Sequence, residues 1–116
     1  MPAGGDWKEL FGAAETGDLE LLDYHLRQGV DPNYAHPEYL ATPLVAAIMA
    51  GQIEAAHMLL ANGAQPDLHS EADGMNPAQA AWRGGHTELA LRLDPGRRWQ
   101  PVPAPPPSFW RRLLPW

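Results

Sequence analysis

A chain of 116 residues with 45% hydrophobic content suits one domain, and the absence of cysteine excludes disulfides and thiolate metal sites. The formal net charge of −6 hides an asymmetry: fourteen acids lie within residues 1–96 against Lys8, Arg27, Arg83 and Arg92, a net of −10, whereas residues 97–116 hold Arg97, Arg98, Arg111 and Arg112 and no acid. No apolar run reaches the ~18 residues of a membrane span, and the opening MPAGGDWKEL lacks the basic start and apolar core of a secretory signal, so a soluble, cytoplasmic protein is expected.

Residues 1–5 are a short lead. Asp6-Trp7-Lys8-Glu9 has the form of a capping box, which predicts a first helix through Leu10, Phe11, Ala13 and Ala14 to Gly17. A second comes next with Leu19, Leu21, Leu22 and Leu26, and stops at Gly29. Asp31-Pro32-Asn33 then turns the chain into residues 30–41, which lack helical periodicity; a stretch of equal length recurs at 64–75. Long recurrent loops of this kind are usually functional.

Residues 42–64 carry the clearest punctuation. Thr42 is the predicted N-cap and Pro43 the first helical residue, where a missing N–H costs nothing and a fixed φ favours the helix. Gly51 breaks that helix; Ile53, Ala56, Leu59 and Leu60 form a second, with Gly63 just past its end. The third unit opens on Asn76-Pro77 and closes early at Asp94-Pro95-Gly96. Beyond Arg97, Pro101, Pro103, Pro105, Pro106 and Pro107 impose an extended course, and only residues 109–114 retain the makings of a helical turn.

Helices of two turns are marginal alone in water, so these units need neighbours, and a shift of 34 residues supplies them. Leu44, Ala47, Gly51, Glu54, Leu60, Gly63 and Pro66 fall on Leu10, Ala13, Gly17, Glu20, Leu26, Gly29 and Pro32. Forwards, Pro43, Ala46, Ala47, Gly51, Glu54, Ala56 and Leu59 fall on Pro77, Ala80, Ala81, Gly85, Glu88, Ala90 and Leu93. Three copies are present.

Thr42-Pro43-Leu44, Ala46-Ala47, Gly51, Glu54, Leu59-Leu60 and Gly63-Ala64 together resemble the ankyrin repeat, and Asn76-Pro77, Ala80-Ala81, Gly85-His86, Glu88 and Leu93 repeat the pattern. The resemblance covers about residues 6–96. Val45 replaces the family's usual histidine, the period of 34 exceeds the family's 33, and the third copy lacks its closing leucine and Gly-Ala. The resemblance implies an all-α solenoid of three helix–turn–helix units with long finger loops over residues 1–96, followed by a Pro/Trp/Arg-rich tail at 97–116. It further implies a non-catalytic scaffold without a cofactor that binds a protein partner through the fingers and the concave face. The family's variable contact positions fall here on Glu15, Tyr34, Glu38, Tyr39, Met49, His69, Asp73, Met75 and Arg83. The alternative for Tyr34 and Tyr39 is that they pack their own loop.

Catalytic and metal chemistry find little footing. His36-Pro37-Glu38 and His69-Ser70-Glu71 recur at 33, one step out of phase with the repeat, and no further ligands complete a site. His25 and His57 fall in second helices and carry no signal. Ser70 and Ser108 are the only serines, neither in a nucleophile elbow, and an acidic body opposes nucleic acid. The tail has three readings. Trp99, Phe109, Trp110 and Trp116 cover the open third repeat, with Arg111 and Arg112 on body carboxylates; or the tail lies in a partner's groove; or it touches an anionic membrane surface. The first draws on the series Ala14, Ile48, Trp82, in which bulk grows towards the bare end. An ankyrin-type inhibitor of a partner enzyme is a further alternative, and the bare end suits a monomer or weak self-association.

Overall fold

The computed structural model describes residues 6–101, and within them six helices form three hairpin-like pairs. α1 (Trp7–Thr16) packs on α2 (Leu19–Arg27), α3 (Pro43–Met49) on α4 (Ile53–Ala61), and α5 (Pro77–Arg83) on α6 (Thr87–Leu93). The first helices α1, α3 and α5 lie side by side as an inner layer. In the outer layer α2 meets α4, whereas α4 and α6 diverge. The 34-residue period survives in space: α2, α4 and α6 begin at 19, 53 and 87, and α3 and α5 at 43 and 77.

Helix starts obey local chemistry. Thr42 Oγ1 accepts the Val45 N–H at 3.4 Å, and Asn76 and Gln79 exchange side-chain-to-backbone bonds of 2.8 and 2.9 Å in a complete capping box. The box expected at Asp6 does not form. Asp6 makes no side-chain bond to its helix, and Glu9 turns away to His25, whose Nε2 lies 2.9 Å from its Oε2. The tight turn inside each pair places Gly17, Gly51 and Gly85 at φ of 79°, 78° and 76°, a left-handed conformation that side chains resist.

The core runs the length of the stack through Leu10, Leu22, Val45, Ile48, Leu59 and Leu89, with alanines between them. Ala13, Ala47 and Ala81 stand at the same repeat position, all buried, and their small size lets the inner helices approach closely. Val45, at the position where the repeat pattern has histidine, is fully buried. Burying one such leucine or isoleucine contributes about 2–3 kcal/mol, enough to offset the poor stability of a seven-residue helix.

The loops are tied to one another rather than left free. The Ala72 N–H reaches the Leu40 carbonyl at 2.9 Å, and the hydroxyl of buried Ser70 accepts the Thr42 N–H at 3.2 Å while donating to Asp73 Oδ2 at 2.7 Å. At the other end of the loops, Asn33 donates to the Gly63 carbonyl at 3.0 Å and accepts from the Gln65 N–H at 2.7 Å. Side chains in one loop thus fix the position of the next.

Candidate functional site

Between the inner helices and the fingers runs a groove of about 490 Å³. Phe11 and Glu15 of α1 form one wall, Ala46 and Met49 of α3 with Ala50 just past its end form the other, and Tyr39, Ala41 and Asp73 close it from the fingers. Small alanines lower the floor, so that Met49, 51% exposed, stands up in it. Acidic groups mark the rim at Glu15 and Asp73.

Tyr39 is held in place from α1. Trp7 and Phe11, four residues apart and hence on one helix face, meet its ring edge-on at 4.8 and 5.2 Å. Trp7 also stacks on His36 at 4.1 Å with an interplanar angle of 11°, and Tyr34 approaches Trp7 at 6.2 Å. Aromatic pairs of this kind are worth about 0.5–1.5 kcal/mol each. His36 Nδ1 accepts the Glu38 N–H at 3.1 Å, so the His-x-Glu motif builds a turn. The tyrosines therefore pack on the first helix, and the first finger is stiffened by it. On the second finger an antiparallel bridge joins Ser70 to Met75, and the bond from Ser70 orients the Asp73 carboxylate.

A family model described as ankyrin repeats in three copies matches residues 10–95. The chain belongs to the ankyrin-repeat family. Among similar proteins, the ARF GTPase-activating protein GIT2 of Rattus norvegicus is 43% identical over 86 residues, covering 74% of this chain and 11% of its own length. The ARF GTPase-activating protein Git of Drosophila melanogaster is 38% identical over 87 residues, covering 74% and 12%. The potassium channel AKT3 of Oryza sativa subsp. japonica is 33% identical over 103 residues, covering 89% and 11%. The chain thus spans about a ninth of the length of these relatives. Ankyrin repeats are a protein-interaction fold, and three of them make up residues 10–95.

On the ankyrin framework, Glu15, Tyr39, Met49 and Asp73 come together at the groove. Tyr34 sits half-buried against Trp7, while Glu38 and His69 are exposed on the fingers. Arg83 is exposed beside a smaller cleft of about 150 Å³ that it shares with Gly74, Gln79, Trp99 and Pro101. Met75 requires a correction: it is 4% exposed and part of the core, because its pairing with Ser70 turns the side chain inward. Of the tail residues, Trp99 is 40% exposed with the Arg98 guanidinium 5.0 Å from its ring centroid. Phe109, Trp110, Arg111, Arg112 and Trp116 lie outside the described residues.

Phe11, which lines the groove, and Trp7 and His36, which stack behind Tyr39, are not evident from the repeat pattern. The spacing of Trp7 and Phe11 on one face of a helix opposite a tyrosine-rich loop was the signal available. His25, which carries no signal in the sequence, is 3% exposed and bonded to Glu9. A second cleft, of about 510 Å³, opens in the outer layer where α4 and α6 diverge, lined by Ile53, His57, His86, Thr87, Glu88, Leu89 and Arg92. None of the variable ankyrin positions falls in it, and the inner groove is the better candidate although slightly smaller.

Proposed function

We propose that this ankyrin array is a non-catalytic, cytoplasmic scaffold, without a cofactor, that binds a protein partner in the groove between α1, α3 and the fingers. The observation that carries the reading is the convergence of Glu15, Tyr39, Met49 and Asp73 on one depression. Its apolar lining of Phe11, Tyr39 and Met49 suits an apolar anchor that is desolvated on binding, and its two rim carboxylates favour a segment with Arg or Lys beside that anchor. The remaining contact positions, Tyr34, Glu38, His69 and Arg83, extend the same face. Residues 1–96 supply the array and 97–116 a tail that acts as its cap or as a second contact. The GTPase activation and potassium conduction in the relatives' names belong to proteins of which the matched segment is about a ninth, so the module is carried over and those activities are not.

A photo-crosslinking residue placed at Met49, with a second placed at His57 in the outer cleft, tests this. Capture of the partner from Met49, lost when Glu15→Arg is added at the exposed rim without a change in melting temperature, is the expected result. Capture from His57 alone overturns the reading and moves binding to the outer face.

A further inference from the structure

The groove and the small cleft beside Arg83 adjoin, since Asp73 lines the first and Gly74 the second. In that small cleft the chain itself arrives, with Trp99 and Pro101 against Gly74, Gln79 and Arg83. Asp94 sets this course by accepting the Arg98 N–H at 2.9 Å and the Trp99 N–H at 2.7 Å. Residue 101 is thereby left beside the inner helix α5, one step along the stack from the open groove.

The chain continues as Val-Pro-Ala-Pro-Pro-Pro-Ser at 102–108 and then as Phe109-Trp110-Arg111-Arg112-Leu113-Leu114. Seven residues span at most about 25 Å. The groove lies one to two inner-helix spacings from α5, roughly 10–20 Å at ordinary interaxial distances, so the second segment reaches it. The chemistries are complementary. Phe11, Tyr39 and half-exposed Met49 present an apolar lining to Phe109 and Trp110, and two rim carboxylates meet two arginines in an array with a large acidic excess. Ser70 occupies Oδ2 of Asp73, which leaves Oδ1 for such a contact. A segment tethered this closely acts at roughly millimolar effective concentration, so little intrinsic affinity is needed.

We infer that residues 109–114 occupy the groove in cis, with Arg111 and Arg112 towards Glu15 and Asp73. The assignment stands apart from the partner-binding reading, because the segment fills the groove whether or not a partner exists. The test uses the full chain alone with its methionine methyl groups labelled for NMR. The Met49 methyl is expected to show nuclear Overhauser contacts to the Phe109 or Trp110 ring, and a shift that Phe109→Ala/Trp110→Ala removes and Arg111→Glu/Arg112→Glu diminishes. Met58, on the outer helix α4 and packed on the core, reports whether each variant keeps its fold. If a variant loses its fold, the contacts from Met49 in the parent decide. Their absence overturns the inference, as does a Met49 resonance that the folded variants leave unmoved. Contacts that fade on dilution name a second copy as the occupant and equally overturn it.

Discussion

Leu40 holds a φ of 53°, and the residue 34 positions on, in the same place in the next finger, is Gly74 at 65°. Arg97, at 54°, likewise stands where the earlier copies have Gly29 and Gly63, at 88° and 99°. The repeat's backbone demands a left-handed conformation at both positions, and in one copy each it is imposed on a side chain, at a cost of about 1–2 kcal/mol. Leu40 is 45% exposed, so its side chain recovers only part of that by burial. Leu40→Gly is therefore expected to stabilise the array by up to about 1 kcal/mol, raising the melting temperature by about 4–8 °C for a domain of this size; a fall would show that the leucine is held by packing. His25 poses the opposite case. It fills the position of Leu59 and Leu93, and its Nδ1 is buried with no partner among the described residues. An unsatisfied buried nitrogen costs about 1–3 kcal/mol, and Glu9, largely exposed, loses little if its partner goes. His25→Leu is expected to raise the stability by about 1 kcal/mol, measured as a shift of the urea midpoint at unchanged slope.

The two ends of the array each carry a coupled polar replacement. At the first, Glu9 stands in the place of Pro43 and Pro77 and meets His25 in the place of a leucine. At the last, Trp82 replaces Ile48, Asp94 replaces Leu60, and the indole Nε1 donates to the carboxylate at 2.9 Å. Asp94 is the hub of that end, joining α5, the close of α6 and the strained turn at Arg97. Burial raises its pKa, but the Trp99 N–H, the Trp82 indole, the Arg98 N–H and the Arg98 charge outweigh it and hold the carboxyl below the usual 3.8. A folded-state pKa below the unfolded one means stability that is present above about 3.8 and lost as pH falls through the folded value. Asp94→Asn should therefore melt below the parent at pH 6, with the gap narrowing as both are taken below about pH 3.8; a gap independent of pH would mean that the hydrogen bonds matter and the charge does not. The helix pairs, their caps at Thr42 and Asn76 and the turn glycines were legible in the sequence, because each is set by residues close together in the chain. Met75, His25 and the aromatic anchor of Tyr39 were not, because each depends on a neighbour brought near only by stacking. Glu9 misled for the same reason: its capping geometry is local, and a buried imidazole sixteen residues on drew it away.

In a linear stack each repeat is stabilised by its intrinsic packing and by the faces it shares with its neighbours, so the middle repeat is favoured and the ends are weaker. Here the last end is the weaker in the outer layer, since α6 diverges from α4 while α2 stays packed on it. The third repeat is held by the inner contact of α5 with α3, the capping box at Asn76 and the latch on Asp94. Asn76→Ala, which removes one half of that box, should cost about 1 kcal/mol. Native-state amide exchange should then rise in α5 and α6 while α3 and α4 keep their protection; a uniform rise would show that the three repeats open together. The latch makes a sharper demand on where the chain can be cut. A chain stopped after Gly96 loses both backbone donors to Asp94 and the cover that Trp99 and Pro101 give the cleft beside Arg83, leaving a buried carboxylate with the Trp82 indole alone. A chain stopped after Pro101 keeps all of them. The shorter protein should melt lower than the longer and associate more readily through its exposed third repeat, as read by the mass in solution over a concentration series. Equal melting of the two would place the closure of the stack further along the chain, beyond residue 101.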